Sequence, residues 1–285
     1  MTHFLFTTVF GVCLSIIISC SSTKHSVSEA SRSPEIIIDT VTTFEKADTI
    51  SPKVTTPIIT KSETDSINVI NEQFDHSIFN NLLNKHVTDN GNTNYSGFID
   101  DKKIFKRYLT ALSENPPQES WTKEDTLAYW MNVYNAFTIK LITDNYPTES
   151  IKNIKDAWSS RFFKIGRKWY NLQDVEHKIL RKMNDPRIHF GINCASFSCP
   201  PLLNRAFTAA TVNTDLDFLA HRFINDKTRN TISENNIQLS KIFKWYASDF
   251  KTDGTLIDYL NKYSEVIINK NTKRSFKNYD WSLND

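Results

Sequence analysis

The sequence predicts a helix-rich α+β domain, a single folded unit packed on a small β-sheet that includes a hairpin. Three observations predict it. Residues 122–143 are apolar nearly all round, the pattern of a helix buried in a core. Several shorter segments space their apolar residues three and four apart, as amphipathic helices do. Between them, Phe162-Phe163-Lys164-Ile165 and Lys168-Trp169-Tyr170-Asn171 flank Gly166-Arg167, which reads as a hairpin with a turn headed by glycine.

The N-terminal stretch is read separately from that domain. Residues 4–18 are an apolar run too short to span a bilayer comfortably, and Ile17-Ile18-Ser19-Cys20-Ser21 follows. This resembles a bacterial lipobox, in which Cys20 would be lipidated and become the first mature residue. The charge pattern departs from it, since His3 is the only basic residue ahead of the run. Residues 1–19 are therefore expected to be a signal peptide and Cys13 to be discarded with it. Residues 20–66 are rich in Ser, Thr, Lys and Glu, are punctuated by Pro34, Pro52 and Pro57, and show no sustained period. They read as a disordered tether, because they cannot bury enough apolar surface to offset the entropy of ordering. The expected setting is the bacterial cell envelope, periplasmic or outer-surface, with the membrane as partner through Cys20.

The domain is expected over 67–285. Residues 74–87 carry Phe74, Ile78, Leu82 and Leu83 at helical spacing, and Asp89-Asn90-Gly91 ends them with a turn. A second helix places Ile104, Tyr108, Leu109 and Leu112 on one side, and Pro116-Pro117 closes it. Thr122 and Asp125 form a capping box at the head of the long helix, and Pro147 lies beyond its end. After the hairpin, Asn171 caps a helix to about Met183 with Val175, Ile179 and Leu180 inward. Pro186 is a break, and Arg187 to Cys194 reads as a short buried strand. Its alternation would set His189, Gly191 and Asn193 on one face and Phe190, Ile192 and Cys194 on the other. A helix through Ile224, a strand or strand pair over 231–239, a turn of helix after Ser240, a final helix over 256–263 and a terminal strand or clip over 279–283 complete the chain.

Composition excludes some chemistries. Six glycines and no phosphate-loop or dinucleotide fingerprint leave nothing to cradle a nucleotide. A net charge of +2, with Lys and Arg scattered among acids, gives no stripe for nucleic acid. No cofactor is indicated. The residues with chemistry concentrate between Asp185 and Phe207, where His189 lies in an apolar run and Cys194 and Cys199 follow. Cys199 precedes Pro200-Pro201-Leu202-Leu203, and proline is favoured at the first helical position, so Cys199 is expected at a helix N-terminus that favours a thiolate. Asn132 and Asn135 interrupt the long apolar helix on one face. They either tie down neighbouring loops or line a site.

Leu127-Ala128-Tyr129-Trp130-Met131-Asn132-Val133-Tyr134-Asn135-Ala136 and Leu172-Gln173-Asp174-Val175-Glu176-His177 resemble motifs of the domain-of-unknown-function 547 family. So do Arg187-Ile188-His189-Phe190, Ser198-Cys199-Pro200-Pro201-Leu202 and Tyr279-Asp280-Trp281-Ser282-Leu283-Asn284. The resemblance implies the extent of the domain and no reaction. Its motifs coincide with Asn132, Asn135, Glu176, His189, Cys194 and Cys199.

Three readings of these residues remain open in the sequence. In the first, a thiol hydrolase or transferase uses Cys199 as nucleophile, His189 as base, and Asn132 or Asn135 to orient the imidazole or hold an oxyanion, with Glu176 in a secondary role. In the second, Cys194 and Cys199 form a disulfide that staples a binding or scaffolding module at the cell surface, and Trp169 and Tyr170 serve recognition of a protein or glycan. A metal site from His177, His189, Cys194 and Cys199 is the weakest, since the spacing falls short of a structural zinc set.

Overall fold

The computed structural model describes residues 74–285, and the signal peptide, Cys20 and tether expected over 1–66 lie outside the described residues. Helix α1 (Ser77–His86) buries Phe79, Leu82, Leu83 and His86. Helix α2 (Tyr95–Asp100) starts at Asn94, whose side chain accepts the Gly97 N–H. Helix α3 (Lys102–Glu114) buries Phe105, Tyr108, Leu109 and Leu112. The expected Ile104 is instead 45% exposed, because the spacing of Phe105, Tyr108, Leu109 and Leu112 defines the apolar stripe and Ile104 falls off its edge. Phe79 of α1 stacks on Tyr108 of α3 with ring centroids 4.8 Å apart.

Helices α2 and α3 pack against α4 (Lys123–Asp144), the long helix expected from the sequence, and α1 packs on α2 and α3. Its capping box is formed as read: Thr122 Oγ1 accepts the Asp125 N–H at 3.0 Å, and the Asp125 carboxylate accepts the Thr122 N–H at 3.3 Å. Strands β1 (Phe163–Ile165) and β2 (Lys168–Tyr170) form the expected antiparallel hairpin, with Gly166 at φ +58°. Phe163 stacks on Phe137 of α4 at 3.9 Å, which fixes the hairpin to the core. Trp169 points outward and is 53% exposed, whereas Tyr170 packs on Trp130.

Helix α5 (Leu172–Lys178) is capped by Asn171, but it stops short of Met183 and passes into a separate 3-10 turn over Leu180–Met183. The next segment departs from expectation. Residues read as a strand form a single turn of helix, α6 (Ile188–Gly191). Asp185 accepts the Arg187 N–H at 3.0 Å, and Pro186 lies where the missing proline N–H costs no helical bond, so the two residues start a turn. Gly191 lets that turn sit against α4, since a Cβ there would meet Met131 Cε at 2.1 Å.

No helix follows Cys199. The chain stays irregular until α7 (Val212–Asn225). Each proline drives the residue before it out of the helical region, so Pro201 holds Pro200 extended and the Cys-Pro-Pro stretch cannot open a helix. Strands β3 (Thr231–Ile232) and β4 (Asn236–Leu239) pair antiparallel, with Ile237 and Leu239 of β4 facing inward. Helix α8 (Ile242–Trp245), a 3-10 turn over Asp249–Lys251 and helix α9 (Leu256–Asn261) follow. Strand β5 (Lys273–Phe276), not among the expected elements, adds to β4 in parallel. The fold is helix-rich α+β as expected, but among the described residues the strands make two separate small sheets and the His189 segment belongs to neither.

Candidate thiol site

The cysteine loop is held from below by α4. Asn135 Nδ2 donates to the Gly191 carbonyl and Asn135 Oδ1 accepts the Asn193 N–H, both at 2.9 Å. Asn193 continues the support, its Oδ1 accepting the Ala195 N–H at 2.7 Å and its Nδ2 donating to the Pro200 carbonyl at 2.8 Å. One turn before Asn135, Asn132 makes the same two-way clasp with the backbone of Phe207. Each amide thus satisfies a donor and an acceptor that would each cost about 1–3 kcal/mol if buried unpaired. Ala195 sits at φ +59°, a left-handed conformation disfavoured by its Cβ. The clasps on either side hold it there and turn the chain sharply between the cysteines.

Above this loop lies a cavity of about 310 Å³, lined by both cysteines, Glu176, His189 and a wall of aromatic rings. The rings come from distant segments: Trp158, Trp245, Tyr246, Tyr279 and Trp281. They brace one another, with Trp245 stacked on Trp281 at 5.8 Å and Tyr279 4.5 Å from Trp281.

Both cysteines are free thiols, and their sulfur atoms stand 3.1 Å apart. The two differ in surroundings. Cys199 is buried, and its Sγ accepts the backbone N–H of Cys194 at 3.1 Å. Cys194 is partly exposed, with the Ser196 hydroxyl 3.1 Å and the Tyr279 hydroxyl 3.5 Å from its sulfur. The hydrogen bond with Cys199 draws the Cys194 thiol down to about 7 against the opposing effect of burial, and Ser196 and Tyr279 assist. Burial, reinforced by the neighbouring Cys194, pushes the Cys199 thiol well above its ordinary value. The pair therefore comprises one thiol poised to ionise near neutrality and one that keeps its proton.

Two further groups face the same space. Glu176 of α5 is buried, with both oxygens taking phenol donors: Tyr246 on Oε1 and Tyr134, at 3.3 Å, on Oε2. Burial and the adjacent carboxylate raise both phenols, so they act as neutral donors. His189 of α6 stacks on Tyr246 at 3.9 Å, and its Nε2 lies 2.8 Å from Asp249 Oδ2. A carboxylate partner makes Nε2 the donor, which leaves Nδ1 of the singly protonated ring as an acceptor. Asp249 also takes the fork of Arg181, through Nε and Nη2, both at 2.6 Å. Burial works to raise Asp249, but the hydrogen bonds from Arg181, His189 and Ser248 outweigh it and hold the carboxyl well below the usual range.

Of the residues singled out in the sequence, Cys194, Cys199, His189 and Glu176 share one cavity. Asn132 and Asn135 do not line it; the structure gives both amides to backbone, the tie-down alternative. His177 lines the rim, and its Nδ1 is 3.1 Å from Arg181 Nη1. Cys199, expected as the nucleophile at a helix start, is the buried thiol with no helix behind it, and Cys194 takes the exposed place. Among the described residues neither sulfur has a hydrogen bond with His189. Tyr246, Asp249, Tyr279 and Trp281 were not anticipated; the one local hint was the three-residue spacing of Tyr246 and Asp249 within an aromatic run. Among the described residues no group of three or more His, Cys, Asp or Glu is placed to hold a metal ion.

Fold and site define a helix-rich α+β domain carrying a close dithiol on the floor of an aromatic cavity. Residues 118–224 match the family model described as protein of unknown function, DUF547. That match takes in α4, the hairpin, α5, α6, the cysteine loop and nearly all of α7, and stops before Tyr246, Asp249 and Tyr279. No curated protein and no solved structure matches the chain.

Proposed function

We propose that this protein carries out thiol–disulfide exchange, with Cys194 as the attacking thiol and Cys199 as the resolving one. The observation that carries the reading is the pair of sulfurs 3.1 Å apart with opposite electrostatics. The Cys194 thiolate attacks one sulfur of a substrate disulfide; that S–S bond breaks, and the departing sulfur takes the electron pair as a thiolate. Cys199 then gives its proton to the substrate thiolate released in the first step and attacks the Cys194 sulfur of the mixed disulfide; the Cys194–substrate S–S bond breaks and the second substrate sulfur leaves with the electron pair as a thiolate. The chain's dithiol is oxidised to the Cys194–Cys199 disulfide and the substrate disulfide is reduced; the reverse passage oxidises a substrate dithiol.

A hydrolase or transferase using the same sulfur is the second reading, and the Asp249-bound His189 in the same cavity favours it. It ranks behind because no sulfur–imidazole hydrogen bond accompanies the pair among the described residues. The non-catalytic staple is a third, in which the Cys194–Cys199 disulfide is permanent. The setting proposed is the cell envelope, with a lipid on Cys20, supported by the apolar run that precedes Ser19-Cys20; the mass of the mature N-terminus checks it.

Alkylation against pH tests the dithiol. Cys194 should react with a midpoint near 7, while Cys199 stays silent until the protein unfolds. Cys199→Ala should raise the Cys194 midpoint by removing the hydrogen bond that does most to lower it, and should trap a mixed disulfide with a small disulfide substrate. An ordinary thiol midpoint at Cys194, or no mixed disulfide in Cys199→Ala, defeats the proposal. A Cys194–Cys199 disulfide that resists physiological reductants in the folded chain would favour the staple.

A further inference from the structure

The cavity beside the dithiol has an unbalanced charge character. Of the residues that line it, none is Lys or Arg, and its one carboxylate is Glu176, which is 5% exposed. The groups that touch Glu176 are the neutral phenols of Tyr134 and Tyr246. The nearest ring nitrogen, His177 Nδ1, stands 3.9 Å from Oε1 and is shared with Arg181. Arg181 gives its two carboxylate bonds, both 2.6 Å, to Asp249; its guanidinium carbon stands 5.5 Å from the Tyr246 ring centroid and acts on Glu176 only at longer range. Cys194, when ionised, adds a second negative charge to the same floor. Facing these groups are aromatic rings, whose π-faces attract cations. Trp281 already holds an ammonium in this way, with Lys152 Nζ 5.5 Å from its ring centroid and outside the cavity lining.

We infer that the cavity selects a cationic reaction partner: a disulfide or thiol bearing an ammonium group close to the reacting sulfur, as in a basic peptide segment around a cysteine. This rests on the dithiol reading of the same site. The ammonium would take the unbalanced side of Glu176 and sit against the tryptophan and tyrosine rings while the sulfur meets Cys194. An anionic partner would instead bring a third negative charge beside Glu176 and the thiolate, in a buried space where such repulsion is weakly screened. A neutral apolar partner would strip water from Glu176 and return nothing for it.

The test compares three methanethiosulfonate reagents of one reaction type, carrying a trimethylammonioethyl, a methyl or a sulfonatoethyl group. In each, the Cys194 thiolate attacks the sulfenyl sulfur, the S–S bond breaks and methanesulfinate leaves with the electron pair. The full chain is used with Cys13→Ser and Cys20→Ser, so that Cys194 is the reactive thiol, and 2-mercaptoethanol supplies each reagent's intrinsic rate. After that correction, the cationic reagent should outpace the anionic one by about tenfold or more, the scale expected for a partly buried charge and aromatic contact. Glu176→Gln should bring the corrected ratio to within about threefold of unity, since only the weaker aromatic contact remains. The methyl reagent measures any change in the thiolate itself, because a shift in Cys194 ionisation scales all three rates alike.

If Glu176→Gln fails to fold, salt gives a second reading on the unmodified cavity: raising ionic strength from about 0.01 to 1 M, which cuts the screening length from about 30 to 3 Å, should shrink the ratio in part, since the approach to the cavity mouth is screened and the buried contact much less so. A corrected ratio near one in the parent chain, or a ratio unchanged in folded Glu176→Gln, overturns the cationic preference and leaves the dithiol reading standing. Failure of all three reagents to modify Cys194 near neutral pH overturns the dithiol reading itself.

Discussion

Asp249 joins two groups beside the cavity, the His189 ring and the Arg181 guanidinium. It binds the His189 ring through Nε2 and receives the Arg181 fork, so one carboxylate fixes the imidazole's tautomer and absorbs the nearest cation. These bonds hold Asp249 well below its ordinary range despite the cost of burial. A depressed carboxylate contributes stability above its unfolded value, near 3.9, and that contribution drains away as pH falls toward the folded value. Asp249→Asn should therefore destabilise the protein at neutral pH by about 1–2 kcal/mol, a charged hydrogen-bond loss discounted for solvent access. The gap from the parent should narrow at about pH 3, where the parent carboxylate has begun to lose its advantage. Urea unfolding at the two pH values checks this; an equal gap at both would mean that the ion pairing contributes nothing.

At the scale of elements, α4 is a core rod with two polar interruptions that act as anchors for different loops. Asn135 holds Gly191 and Asn193, which flank the cysteine loop on its N-terminal side, and Asn132 holds Phe207, beyond it. Replacing either by Ala leaves a buried carbonyl and a buried N–H unpaired, which should cost about 2–4 kcal/mol in urea unfolding. The two variants should differ in the thiols. Asn135→Ala should shift the alkylation midpoint of Cys194, and Asn132→Ala should leave it near 7; shifts in both or in neither would count against a separate anchor for the cysteine loop. The helix itself was legible because cap, length and all-round apolarity agree. The α6 turn was misread because a short apolar run has no period that separates strand from helix, and the deciding signal was the Asp185-Pro186 start. The absence of a helix after Cys199 was also legible in principle, from the second proline. The cavity was legible only in part. Its cysteines, His189 and Glu176 carry chemistry in their residue types, but the ring wall and Asp249 arrive from far along the chain, the His189–Asp249 pair spanning 60 residues. Nothing in local pattern foretells such a meeting.

At the scale of the whole folded unit, the C-terminal segment works as a clip over the site. Backbone bonds join Phe197 N–H to the Ser282 carbonyl at 2.7 Å, Ser198 N–H to Asp280 at 3.1 Å, Thr93 N–H to Asn284 at 2.7 Å and Leu283 N–H to Glu149 at 3.0 Å. Side chains add to it: Tyr95 donates to Asn284 Oδ1 at 2.7 Å, and Tyr279 and Trp281 form part of the cavity wall. The clip thus ties together the α1–α2 loop, the segment after α4 and the cysteine loop. Removing residues 279–285 should cost about 2–6 kcal/mol if four backbone bonds each contribute a typical net amount. In a domain of this size that corresponds to a fall in Tm of about 4–24 °C, with the helical circular dichroism of the parent retained below the transition, since α4 and its neighbours keep their own core. The thiol site should respond separately. The Tyr279 hydroxyl hydrogen-bonds with the Cys194 sulfur and with the Ser196 hydroxyl, and its bond to the sulfur lowers the Cys194 thiol, so the truncated chain should show a raised Cys194 midpoint. Tyr279→Phe should raise it in the same direction by less, with Tm nearly unchanged, because the ring contacts remain. A truncated chain that keeps its midpoint near 7 would mean that the cysteine loop holds its geometry through Asn135 and Asn193 alone, with the clip a lid on the cavity and no part of what poises the thiol.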